Sequence, residues 1–212
     1  MITLSCPACG ASVNFHSKAS VFAVCSFCKS TLVRHDMDLE KLGLMSELQD
    51  EMTPFQVGTA GVFGKKPFEI VGRLRIKYAD GFWNEWYCFF SDGREGWLAE
   101  AQGFYAMCFP VSEKESGINS GIPRPQVGKI MVIKPHGEFV VDDIHDVTCI
   151  YSEGELPMNA ASGRRSTSVD LRGVNLKMAT IEFAEDCTRI FVGEYKEFDE
   201  FKFTRLREID GW

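Results

Sequence analysis

Four cysteines in two pairs carry the clearest chemistry in the sequence: Cys6-Pro7-Ala8-Cys9 and Cys25-Ser26-Phe27-Cys28, with fifteen residues between the pairs. Two intervening residues bring both sulfurs of a pair to one side of a tight turn, so each pair fills two corners of a tetrahedron. Gly10 stands where such a turn tolerates a positive φ. Four thiolates leave no open coordination position, so the zinc ion this spacing implies is structural and cannot activate water.

Carboxylates form the second candidate set. Glu153, Glu155, Asp170, Glu182 and Glu194 fall at or near the ends of strand-like runs. A pair of them about 5–10 Å apart could perform acid–base chemistry or hold a small cation such as a polyamine. Solvated acids at strand edges are the simpler account in so acidic a chain. Trp83, Trp86, Tyr87, Trp97, Phe104 and Tyr105 offer a stacking surface for a base, a sugar or an amine, although strand alternation must turn half of them into a core. Glu85, set between Trp83 and Trp86, does not suit a core, and an ion pair with Arg94 across a turn is its structural reading.

Other catalytic patterns are missing. None of His16, His35, His136 and His145 clearly partners a nucleophile, and the glycine-rich run from Gly58 to Lys66 precedes a strand where a phosphate loop would open a helix.

The elements that must position these groups are mainly β. Residues 1–35 read as a zinc ribbon, with short strands at Ser12–Phe15 and Val21–Val24. Over 36–52, Leu39, Leu42, Met45 and Leu48 recur every three residues behind Asp36 and Asp38, which predicts a short linking helix. Residues 53–111 form a first antiparallel β unit, with hairpin turns at Asp80-Gly81 and Asp92-Gly93. A polar Gly/Pro-rich linker or long loop at 112–126 leads to a second β unit over 127–212. Gln126-Val127-Gly128 echoes Gln56-Val57-Gly58 and suggests two related modules, as small barrels or one sandwich. Residues 54–212 carry enough apolar sequence for a core of their own, so loss of Cys25 is expected to unfold the ribbon and spare the body.

Charge narrows the partners. The whole chain carries −7, yet residues 1–35 hold Lys18, Lys29 and Arg34 and no acid, leaving −10 on the remainder. A zinc ion with four thiolates lowers the ribbon to about +1, a poor footprint for nucleic acid. No run approaches the length of a membrane span, and Met1-Ile2-Thr3-Leu4-Ser5 lacks the basic and apolar regions of a secretory signal. A cytoplasmic protein is expected.

Three segments carry a resemblance: Phe68-Glu69-Ile70-Val71-Gly72-Arg73, Trp83-Asn84-Glu85-Trp86-Tyr87 and Asp92 through Leu98. They resemble a bacterial family known as domain of unknown function 4178. Glu153-Gly154-Glu155-Leu156-Pro157, Val169-Asp170-Leu171, Thr180-Ile181-Glu182-Phe183 and Val192-Gly193-Glu194-Tyr195 are similar to the second half of the same proteins. The resemblance implies an N-terminal zinc ribbon and an accessory role near polyamine metabolism or envelope stress, without naming a reaction. The combined expectation is a non-enzymatic zinc-ribbon and β-domain protein that binds a protein partner or a small cationic ligand. A carboxylate-dependent enzyme and a nucleic-acid-binding ribbon are the rivals.

Overall fold

The computed structural model describes residues 1–46, 53–118, 125–185 and 187–208, and its regular structure is almost entirely antiparallel β. At the N-terminus, β1 (Ile2–Ser5) pairs with β2 (Ser12–Phe15), and a meander follows of β3 (Phe22–Val24), β4 (Ser30–His35) and β5 (Asp38–Leu44).

Strand β5 replaces the linking helix expected over 36–52. His35 and Asp38 face each other across a two-residue turn in which Asp36 takes φ 51°, so the aspartates that resemble helix caps make a hairpin instead. An apolar residue at every third position is a weak helical signal over so few turns, and pairing with β4 overrides it. Residues 47–52 lie outside the described residues.

Two copies of one plan follow. The first comprises β6 (Ala60–Phe63), β7 (Lys66–Tyr78), β8 (Gly81–Phe90), β9 (Glu95–Ala101) and β10 (Phe104–Val111). A single helical turn, α1 (Glu113–Ser116), opens the expected linker, and Ile118 beyond it is buried. The second copy comprises β11 (Ile130–Ile133), β12 (Gly137–Leu156), β13 (Arg165–Arg172), β14 (Lys177–Ala184) and β15 (Thr188–Lys196). After it, Phe198–Phe201 make a 3-10 turn, and Thr204 bridges to Ala60.

The echo of Gln-Val-Gly has a physical basis. Gly58 N–H donates to the Ile70 carbonyl at 2.8 Å and Ile70 N–H donates to the Thr59 carbonyl at 2.8 Å. Gly128, Val141 and Lys129 repeat these bonds at 2.8 and 2.9 Å, and both glycines have positive φ. Each long strand then bulges at the same place, between Ile70 and Gly72 against β8 and between Val141 and Asp143 against β13.

The copies join twice. Strand β7 pairs with β12 and β10 with β15, so the pairing runs β7-β8-β9-β10-β15-β14-β13-β12 and returns to β7. Alternate residues therefore serve two cores. Trp86, Cys88 and Phe90 point to a core completed by Phe55 and Phe201, while Val169, Leu171 and Ile181 point to one completed by Ile118 and Ile133. Between the copies lies a third core of Ile76, Tyr87, Trp97 and Val147, which also takes in Phe22, Val24 and Met45 from the N-terminal module. Each such side chain contributes roughly 1.5–3 kcal/mol on burial.

Candidate functional site

The cysteine cluster comes first because its geometry is local. Gly10 N–H donates to the Cys6 carbonyl at 2.8 Å, and Lys29 N–H donates to the Cys25 carbonyl at 3.0 Å. Gly10 (φ 77°) and Lys29 (φ 57°) hold matching left-handed positions, so the two turns are copies of one knuckle. Sγ of Cys6 lies 3.7 Å from Sγ of Cys28, Sγ of Cys9 lies 3.8 Å from that of Cys25, and all four sulfurs lie within 4.8 Å. A tetrahedron with metal–sulfur bonds of about 2.3 Å has edges near 3.8 Å. These four residues can hold a metal ion.

A second site occupies the interior of the strand circuit. All eight strands line a deep cavity of about 50 Å³, from Ile76 on β7 through Trp97 on β9 and Ser168 on β13 to Phe191 on β15. It continues into an outer cleft of about 680 Å³, and the two share Trp83, Glu85, Ala99, Ser168, Met178 and Thr180. Cleft volumes of this order suit small organic ligands. Exposed Phe82, Phe104 and Leu176 stand at its mouth beside His145 and Asp170. The expected carboxylates thus divide: Asp170, Glu182 and Glu85 share this space, and Glu153 and Glu155 do not.

Register makes the two walls comparable. Glu85 faces Ala99 and Tyr87 faces Trp97 in the first copy, where Ser168 faces Glu182 and Asp170 faces Thr180 in the second. A repeated frame therefore carries an aromatic wall on one side and a polar wall on the other. Packing alone does not require that difference.

The two interior glutamates are treated oppositely. Glu182 accepts from Arg164 Nη1 at 2.7 Å, Ser166 Oγ at 2.7 Å and Arg189 Nη1 at 3.1 Å. Burial pushes its pKa up, but Arg164, Ser166 and Arg189 outweigh that and leave it below the usual value. Glu85 accepts from the Trp83 indole N–H at 2.9 Å and joins no ion pair among the described residues. Burial first, then the nearby Glu182 charge, pushes its pKa up to about 7. Asp170 is also raised by burial, against the opposing hydrogen bond from Thr180.

The remaining sequence candidates lie outside this cavity and its cleft. Trp86 points to the opposite face, where its Nε1–H donates to Glu100 at 2.9 Å and the Arg73 guanidinium lies 4.5 Å over its ring. Arg94 does not reach Glu85. It pairs with Asp92 at 3.1 Å in the β8–β9 turn, whereas Glu85 sits well inside β8 opposite Ala99. Glu153 lies 3.4 Å from Arg73, and buried Glu155 binds His16 of the N-terminal module. Sequence reasoning passed over Ser168 and Thr180, because hydroxyls on strands carry no signal until the register places them opposite an acid.

Fold and site define a class: an antiparallel β protein with a duplicated five-stranded plan, an interior cavity and an attached four-cysteine module. The family model described as Domain of unknown function (DUF4178) matches residues 56–198, and the chain belongs to that family. The match begins at the first Gln-Val-Gly and covers both copies of the plan, leaving out the four clustered cysteines Cys6, Cys9, Cys25 and Cys28. No curated protein and no solved structure matches the chain. Among the described residues no helix is long and apolar enough to cross a membrane.

Proposed function

We propose that the chain is a non-enzymatic binding protein whose interior takes a small organic cation, with a structural zinc ion on the four cysteines. The observation carrying this reading is Glu85, a half-buried carboxylate that joins no ion pair among the described residues, placed at the junction of the cavity and its cleft beside Trp83. A cation entering there would pair with a carboxylate that no ion pair among the described residues neutralises. A polyamine, to which the family resemblance points, belongs to the same chemical class. The acidic body disfavours nucleic acid, and a four-cysteine metal site suits a reducing, cytoplasmic setting.

The test is calorimetric titration of spermidine and of hexanoate, an anion, into wild type and Glu85→Gln at about pH 8, where Glu85 is mostly ionised. Binding of spermidine alone, lost on substitution, supports the reading, and absence of cation binding overturns it. Metal analysis should give one zinc per chain, lost in Cys25→Ser.

One observation favours the enzymatic alternative: two interior carboxylates whose pKa values are pushed apart, as acid–base pairs require. Turnover of an amine substrate, abolished by Glu85→Gln, would establish that alternative in place of simple binding.

A further inference from the structure

We infer that the cavity selects a primary ammonium group on an apolar chain, in preference to a quaternary ammonium or a neutral alcohol. This inference rests on the cation-binding reading above and adds the chemistry of the ligand's head and tail.

The head is defined by oxygen acceptors. Ser168 is only 4% exposed and lines both the deep cavity and the cleft. No hydrogen bond among the described residues uses its hydroxyl, which as part of the cavity and cleft lining is open to a ligand as donor or acceptor. Thr180 donates its hydroxyl proton to Asp170 at 3.1 Å, which leaves its oxygen free to accept. Glu85 spends one interaction on Trp83 and keeps its other acceptor sites. Glu85, Ser168 and Thr180 thus present three acceptors from two facing walls, and a primary ammonium carries three N–H donors.

A quaternary ammonium carries none. It would desolvate the Ser168 hydroxyl and the Glu85 carboxylate without replacing their hydrogen bonds, and sites built to bond a donor reject analogues that lack it. Nor do the aromatic rings form a free cage. Trp97 packs against Tyr87 with centroids 5.1 Å apart and against Phe191 at 6.2 Å, while Trp83 packs on Tyr78 at 5.4 Å.

The tail is defined by what lies between the head site and the mouth. Ala99 and Met178 line the shared region, and Phe82, Phe104 and Leu176 line the outer cleft. An alkyl chain leaving the ammonium would follow these apolar groups outward.

Three probes with one tail separate the possibilities: hexylamine, N,N,N-trimethylhexylammonium and hexanol, each titrated calorimetrically into the full chain at about pH 8. Hexylamine should bind roughly a hundredfold or more tightly than either analogue. Ser168→Ala should weaken hexylamine at least about tenfold, in line with one lost hydrogen bond, and leave the trimethyl compound unchanged. Comparable binding of the trimethyl compound overturns the primary-ammonium assignment while leaving the cation-binding reading intact. If none of the three binds and spermidine also fails, both fall. The wild-type series stands even if Ser168→Ala does not fold.

Discussion

The Glu155 carboxylate clasps His16: it accepts the His16 backbone N–H at 2.7 Å and meets His16 Nδ1 at 2.6 Å. Ser17 N–H reaches the same carboxylate at 3.4 Å, and the Ser17 hydroxyl donates to Glu95. Residues of the cysteine module thereby depend on strand β12 of the body for their buried polar partners. Replacing Glu155 with Ala would strand those amides, and an unsatisfied buried donor costs roughly 1–3 kcal/mol. Urea unfolding of Glu155→Ala should show a loss of about 2–4 kcal/mol. A loss below about 0.5 kcal/mol, typical of a surface change, would contradict this role.

Metal removal should reach beyond the ribbon. The ribbon expected to detach cleanly supplies Phe22 and Val24 to the core that contains Tyr87 and Trp97, and β3 extends the sheet from β12. Chelation, or Cys25→Ser, should therefore lower the unfolding midpoint of the β body as well as releasing zinc. Tryptophan fluorescence, reporting on Trp97, measures this directly. An unchanged body midpoint after complete metal loss would show that the module is dispensable.

Gly72 and Gly154 meet where β12 leaves β7. A Cβ on Gly72 would lie 2.0 Å from the Glu155 carbonyl oxygen, and one on Gly154, at φ 70°, would lie 2.2 Å from that of Val71. Backbone cannot yield as a flexible side chain can. Either Gly→Ala change should cost about 3 kcal/mol or more, by forcing the strands apart. Soluble expression and melting temperature check this, and a wild-type melting temperature in either variant would refute the crossing.

Much of this architecture was legible because β signals are local. The Asp80-Gly81 and Asp92-Gly93 turns, the alternation in Phe68, Ile70, Leu74 and Ile76, and the two C-x2-C pairs each specify structure within a few residues. The Gln-Val-Gly echo was visible too, but its meaning lay in bonds to Ile70 and Val141 more than ten residues away. Strand β5 is hidden from a local reading because its stabilising partner, β4, overrides a period that helix and strand share over a short run. The site was half legible. Glu85 stood out as an acid among tryptophans, yet which acids joined it depended on pairing between the copies, which no local pattern encodes.

Glu85 supplies the sharpest test. Its pKa rises from an unfolded value of 4.5 to about 7, so between those pH values the folded chain binds more protons than the unfolded one. Stability therefore falls as pH rises through this window, and the full penalty is present above it, amounting to roughly 3 kcal/mol at most. Glutamine keeps an acceptor for the Trp83 N–H without the charge. The decisive measurement is the urea unfolding free energy of wild type and Glu85→Gln at about pH 8. A site that keeps an uncompensated carboxylate for a ligand predicts that Glu85→Gln is more stable, by up to roughly 3 kcal/mol, with the difference shrinking toward pH 5. A variant equal to wild type or less stable at about pH 8 would contradict the account, because Glu85 would then already have its counter-charge within the fold.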